Sequence, residues 1–473
     1  MNHKAINLLR NFSYTLSSNL LSLIISTLVV LIIPKFIGVE EYGYWQLYIF
    51  YTGYVGFFHF GWNDGIYLRY GGEHYEKLNK RLFHSQFYML VMLQALFFVS
   101  FILISFVFLD SGNRLFVLQM TSFCMLIVNS RYMLLFLLQA TNRIKDYARV
   151  TILDRVLYAI LIISSLTINF IDFKWMITFD LVGKSLSLIY AMYLCKDIVF
   201  SKTFSFYFSF KEMIDNIHVG IKLMFSNFAS KLIIGVVRFG VERSWSVSTF
   251  GKVSLTLSIS GMMMIFINAI GIILFPLLRR SPEEKLPTVY ITMRDFLMAI
   301  LLGILFIYYP LKEILINWLP HYEEGLKYMA LLFPMLLFEG KMALLINTYL
   351  KTLRKEKMML TINLIVLTIS IIITVITTII FKNLDLAVLS IVIILAIRSI
   401  FSELYLSKIL KVSVAKDIIL ELGLTVLFIF IAWFIDSWYI IIIYFMAYVV
   451  YLIIKYKDLT VTYRNIIKIL VKS

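Results

Sequence analysis

The chain has 473 residues, 61% of them hydrophobic, with 44 Lys and Arg against 28 Asp and Glu for a formal charge of +16. That composition excludes a soluble globular domain, and no inter-span segment longer than about 25 residues leaves room for a catalytic or nucleotide-binding domain. Two distant cysteines and six scattered histidines, with no H-x-x-x-H pair and no phosphate-cradling glycine loop, give no support to a metal centre, a nucleophile or a resident ATPase; no cofactor is expected.

In chain order, apolar stretches run at roughly 14–33, 42–60, 87–109, 115–138, 152–170, 175–195, 219–239, 253–278, 290–309, 325–347, 359–381, 385–406, 417–435 and 437–454. Each is long enough for a helix to cross about 30 Å of hydrocarbon. The predicted fold is all-α: a polytopic membrane protein of about 14 transmembrane helices. Its basic residues alternate in register with the spans. Alternate segments beginning with Lys4 and Arg10 and ending with the tail from Lys455 to Lys472 hold 27 Lys and Arg, and the intervening loops hold 7. Because cytoplasmic loops carry the excess, both termini are expected in the cytoplasm. The same bias explains the net charge by anionic lipid headgroups, without a nucleic-acid partner. Span 1 exceeds a signal-peptide core and lacks a small-residue cleavage site, so it is expected to be retained. Cys124 and Cys195, in different spans, read as free thiols.

Span 2 is aromatic throughout. Tyr44, Tyr48 and Tyr51 share a helix face, followed by His59, Trp62, Asn63, Asp64 and Arg69 toward the cytoplasmic end. Aromatic faces with amide and carboxylate groups can hold a sugar, while lipid-facing or interfacial placement is the plainer expectation for the tyrosines. His59 can titrate near neutral pH, although a single histidine is more often structural.

The turn that ends in Tyr42-Gly43, between spans 1 and 2, is echoed by Phe250-Gly251 between spans 7 and 8. The offset is 208 residues, or six spans, an even number that gives both copies one orientation. Parallel repeats of this kind recur in secondary transporters, with the substrate between the halves. The implied organisation is an N-terminal six-helix lobe (1–200), a basic linker from Lys196 to Lys211, a second six-helix lobe (212–410), and a C-terminal helix pair with a basic tail (411–473).

Around these residues the chain resembles a known family. The segment YGYWQLYIFYTGYVGFFHFGWNDGIYLRYGG from Tyr42, with Arg238-Phe-Gly-Val-Glu242-Arg, Phe250-Gly-Lys-Val-Ser and Leu274-Phe-Pro276-Leu-Leu-Arg-Arg280, is similar to bacterial polysaccharide (O-antigen or capsule repeat-unit) flippases of the multidrug/oligosaccharidyl-lipid/polysaccharide exporter superfamily. The resemblance implies two lobes around a cavity that opens alternately to each side. It also implies a transporter, not an enzyme, in the cytoplasmic (inner) membrane, moving an undecaprenyl-diphosphate-linked glycan. Membrane lipids, and a glycan polymerase, are the partners that follow from it.

Ionisable groups at mid-bilayer are costly and should face a cavity or a partner. On span 7, Asn227, Lys231, Arg238 and Glu242 fall within roughly 60° at 100° per residue. This stripe either offers cations to a diphosphate or locks helices through an Arg238–Glu242 pair. Arg131 in span 4 and Arg398 in span 12 are open to the same two readings. Asp180 and Lys184 suggest a structural i, i+4 pair, and Asp154 and Arg155 a solvated helix end. Glu339 and Lys341 follow Pro334, which should kink span 10. The substrate-binding candidates are therefore Lys231, Arg238, Asn227, Arg131, Arg398, Asn63 and Asp64; coupling or gating falls to Glu242, His59, Glu339 and Lys341. Spans 13 and 14, with almost no charge inside them, would suit a lipid tail. Two alternatives remain: an ion-coupled drug antiporter of the same fold, disfavoured by bases outnumbering acids within spans, and a membrane glycan polymerase or ligase, disfavoured by the short external loops.

Overall fold

The computed structural model describes residues 20–21, 24–108, 112–168, 171–200, 206–262, 264, 283–435 and 437–471. Lys4, Arg10, the Leu274–Arg280 motif and Lys472 lie outside the described residues. Among those described, every regular element is a helix. We number them α1 (Ile24–Lys35), α2 (Val39–Thr52), α3 (Trp62–Arg69), α4 (Lys80–Phe108), α5 (Asn113–Ala140), α6 (Ile144–Thr167), α7 (Phe173–Leu194) and α8 (Phe210–Ser244). There follow α9 (Val247–Met262), α10 (Leu286–Trp318), α11 (Met329–Thr352), α12 (Glu356–Ile380), α13 (Leu384–Leu410), α14 (Ala415–Phe434), α15 (Tyr439–Ile454) and α16 (Tyr456–Val471).

Ten of these, α4 to α8 and α10 to α14, are long and apolar enough to cross a membrane. The other four expected spans correspond to α1, the α2–α3 pair, α9 and α15, each shorter or interrupted. Large apolar side chains such as Leu96, Leu103, Phe106 and Val107 stand exposed along α4, as a lipid-facing helix requires. The all-α polytopic membrane fold is the one the hydropathy pattern predicts. Cys124 and Cys195 are both free and buried.

The chain forms two compact units, Met1–Phe228 and Ala229–Ser473, and the boundary falls inside α8, past the basic linker. In the first unit α5 is the enclosed helix, with 72% of its apolar stretch buried, and α4, α6, α7 and α2 pack around it. Leu90, Leu134, Leu138 and Val150 are among the apolar side chains that close this core.

Span 2 is not one helix. After α2 the chain makes a tight 3₁₀ turn over Val55–His59, passes through left-handed Phe60 (φ 52°) and Gly61 (φ 82°), and restarts as α3. Broken backbone at membrane depth must find partners within the protein. Here Asn129 Nδ2 donates to the Val55 carbonyl at 3.0 Å and Gln94 Nε2 to the Phe58 carbonyl at 2.9 Å. Restarting the helix brings α3 against the beginning of α8. A Cβ on Gly65 would lie 1.9 Å from the Asn216 carbonyl oxygen, and one on Gly220 would lie 2.0 Å from that of Gly61. Only glycine permits this approach. Arg69 extends the junction with bonds to Glu212 (2.6 Å) and Asn216 (2.7 Å).

In the second unit α11 is the enclosed helix, 89% of its apolar stretch being buried. It is irregular: the helix breaks at Phe333–Pro334 and takes a π turn over Met342–Ile346. Between these defects stand Glu339 and Lys341. α12 pairs with α13, α14 with α15, and α16 lies along α10.

Candidate functional site

In the first unit the buried charges converge from α5, α6 and α7. Arg131 is 6% exposed, and its Nη1 donates to Asp154 Oδ2 at 2.7 Å and to Ser187 Oγ at 3.2 Å. Asp180, fully buried, receives Lys184 from one turn on and Tyr48 Oη from α2 at 2.7 Å. Arg155 reaches toward the same carboxylate at 3.9 Å and keeps 31% of its side chain exposed. This arrangement corrects two expectations. Asp154 is no solvated helix end but a 3%-exposed counterion, because the turn of α6 aims it at α5. Tyr48 neither faces lipid nor stays free for a sugar; it is consumed by Asp180.

The remaining candidates of this unit are also bonded. Asn63 Nδ2 donates to the Asn129 carbonyl at 3.1 Å, and Asn129 in turn donates to Gln94 Oε1 at 2.8 Å. Trp62 donates to Gln86 Oε1 at 2.7 Å. His59 Nδ1 accepts from the Gly61 amide at 3.1 Å, while its Nε2 stands 3.8 Å from Asp64 Oδ2. These residues hold the break in span 2 in shape. Asp197, just past the end of α7, is pushed up by burial, but bonds from Lys80 and Tyr75 outweigh that and hold its carboxyl below the usual range.

In the second unit Arg398, 3% exposed, spends its guanidinium on Asn363 Oδ1 (3.0 Å), Glu339 Oε1 (3.1 Å) and Ser230 Oγ (2.7 Å). It joins α13 to α12, α11 and the later part of α8. Lys341 does not line an open face. Its ammonium is shared by Glu403 Oε2 and Glu421 Oε2, both at 2.7 Å, and Arg294 bridges the same two carboxylates at 2.5 and 2.7 Å. Beside that closed square, Lys455 holds Asp295 (2.8 Å), Asp417 (2.9 Å) and the half-exposed Asp458 (2.9 Å). The C-terminal helices, expected to be nearly free of charge within their spans, are thus tied to α10 and α11 by Asp417, Glu421 and Lys455.

The residues of the span 7 stripe differ in environment. Asn227 and Lys231 are exposed, Arg238 is half-buried and Glu242 is buried. Arg238 donates to Ser254 Oγ at 3.0 Å and lies 5.4 Å from the Phe250 ring centroid; Glu242 Oε2 is 3.3 Å from Arg243 Nε. Asn227 belongs to the first unit and the other three to the second.

Sequence reasoning missed Arg294, Asp295, Glu403, Asp417, Glu421 and Lys455. All lie toward span ends, where a charge reads as solvated. The only signals were spacings: Asp417 and Glu421 at i, i+4, and adjacent Arg294-Asp295. Chemically, among the described residues, the first network has three cations (Arg131, Arg155, Lys184) for two carboxylates. Among the described residues, the second has three cations (Arg294, Lys341, Lys455) for four enclosed carboxylates, before Asp458 at its rim is included.

No protein-family model and no curated protein sequence matches the chain. Solved structures do. The chain is similar to an inward-facing multidrug resistance MATE family transporter of the MOP superfamily, with 12% identity over 84% of this chain and 94% of that one, and a TM-score of 0.63. It is also similar to the lipid II flippase MurJ in an inward closed conformation, with 15% identity over 96% of this chain and 100% of that one, and a TM-score of 0.59. The likeness is one of fold: this chain has the fold of these two membrane proteins.

Proposed function

We propose that this protein is a MOP-superfamily transporter that flips a polyprenyl-diphosphate-linked oligosaccharide repeat unit across the cytoplasmic membrane, for O-antigen or capsule synthesis, by alternating access. The observation that carries the reading is the cation surplus of the buried network in the first unit. Arg131 and Lys184 are neutralised by Asp154 and Asp180, which leaves Arg155, 31% of its side chain exposed and only 3.9 Å from Asp180, as the cation with the weakest partner to meet an anion. In a medium of low dielectric such a group binds a diphosphate through charge-assisted bonds. In the second unit Lys231, exposed on α8, is a further candidate for contact with an anionic cargo. The fold likeness to a lipid II flippase over 96% of the chain supports a lipid-linked substrate. Asn63 and Asp64 act here as supports of the span 2 break, and Arg398 and Lys341 as ties between helices.

A second reading is a drug antiporter, favoured by the higher TM-score to the MATE transporter. One experiment separates them. Vesicles containing the purified protein are loaded on one side with a polyprenyl-diphosphate oligosaccharide, and its arrival on the other is followed with a lectin. A parallel set measures uptake of a cationic dye. Movement of the glycolipid alone, abolished by Arg155→Glu, is the expected result; dye uptake without glycolipid movement would overturn the proposal.

A further inference from the structure

Outside the charged networks, the second unit has a groove of about 400 Å³ between α13 and α14. That is more than twice the ~150 Å³ of an apolar cavity that admits a benzene ring. Its wall runs from Asp385 to Ile393 on one helix and from Phe434 back to Val426 on the other, and apart from Asp385 it is hydrophobic. Eight helical residues span about 12 Å, close to the depth of a single leaflet in a hydrocarbon core of ~30 Å. The groove therefore has a top and a bottom in the membrane.

Its top is built for a headgroup. Trp433 lines the groove, and the exposed ammonium of Lys327 stands 4.3 Å from the centroid of its ring. Asp385, the one carboxylate in the wall, accepts the hydroxyl of Tyr328 at 2.8 Å, and among the described residues it forms no ion pair with Lys327. Among the described residues Lys327 has no ion-pair partner. An aromatic and a free cation at one end of an apolar trough match the interfacial order of a lipid, with phosphate above and acyl chain below.

We infer that this groove is a binding site for an anionic phospholipid, one acyl chain lying between α13 and α14 and the phosphate on Lys327. The inference is independent of which cargo the transporter moves. A bound lipid would fill the seam between the six-helix part of the unit and the C-terminal helices.

Native mass spectrometry of the purified chain, titrated with phosphatidylglycerol or phosphatidylcholine of identical acyl chains, tests it. A juxtamembrane cation contributes about fivefold in affinity for an anionic surface. The wild type is expected to prefer phosphatidylglycerol by at least that factor. Lys327→Gln should erase the preference by weakening phosphatidylglycerol more than phosphatidylcholine, whereas Leu389→Trp, which fills the trough, should weaken both lipids alike. Ile393→Trp provides a second filling variant, and only variants with the wild-type melting temperature are compared. Equal binding of the two lipids by the wild type, or a preference that survives Lys327→Gln, would overturn the site. Tighter binding of undecaprenyl phosphate than of phosphatidylglycerol would overturn the choice of a phospholipid.

Discussion

Both units bury charge against the cost of the membrane, yet they solve the problem differently. In the second, Arg294, Lys341, Glu403 and Glu421 form a closed square in which each group touches at least two opposite charges, and Arg294 reaches Asp417 as well at 3.3 Å. In the first, Arg131–Asp154 and Lys184–Asp180 are separate pairs, and Arg155 approaches Asp180 only at 3.9 Å. A closed square has nothing left to offer a ligand, whereas an open arrangement with a spare guanidinium does. The contrast lies in pairing: every member of the square is met on both sides by opposite charge, and Arg155 is not.

The largest expected effect lies in the square. Glu403→Ala leaves two cations short of a counterion and should destabilise by about 3–5 kcal/mol, as does breaking other buried pairs. Thermal inactivation followed by size-exclusion chromatography would show it; a wild-type melting temperature would remove the square's structural role. Next comes Arg131→Ala, with a loss of about 3 kcal/mol from stranding Asp154. Asp154→Asn in the same chain should recover much of it, and a double mutant no more stable than the single one would mean that Arg131 is held by something other than that pair.

Arg155 sharpens the contrast. Arg155→Gln should change stability by less than about 1 kcal/mol, since a partly exposed ion pair at this distance contributes little. Glycolipid flipping should nevertheless fall by at least tenfold, with Arg155→Glu lower still. Equal defects in folding and flipping would make the first network as structural as the second. The smallest effect belongs to Lys231→Ala: flipping reduced a few-fold at unchanged membrane abundance, measured by blot and vesicle assay together.

Much of the fold was legible in the amino-acid sequence, because twenty-residue apolar runs have few alternatives in a bilayer. Intraspan charges were legible for a related reason: Arg131, Arg398 and Lys341 stood out against apolar neighbours. Their partners did not. Asp154 looked like a helix end, and Glu403 and Glu421 lie 62 and 80 residues from Lys341. Hydropathy along one helix carries no information on which neighbour it meets. Asn63 and Asp64 stood out beside Trp62 as groups that can hold a sugar, but nothing in composition revealed that the Asn63 amide and the Trp62 indole are turned to the helices behind them.

The interrupted second span carries a consequence for how the chain is made. Its carbonyls at Val55 and Phe58 are satisfied by Asn129 and Gln94, which belong to helices synthesised later. Released alone into lipid, the segment would expose bare acceptors, each costing several kcal/mol. It is therefore not a unit that can partition from the translocon on its own. The nascent chain must keep it in a hydrated or protein-lined place until the third and fourth spans arrive, so the first unit assembles as a group of helices and not one at a time.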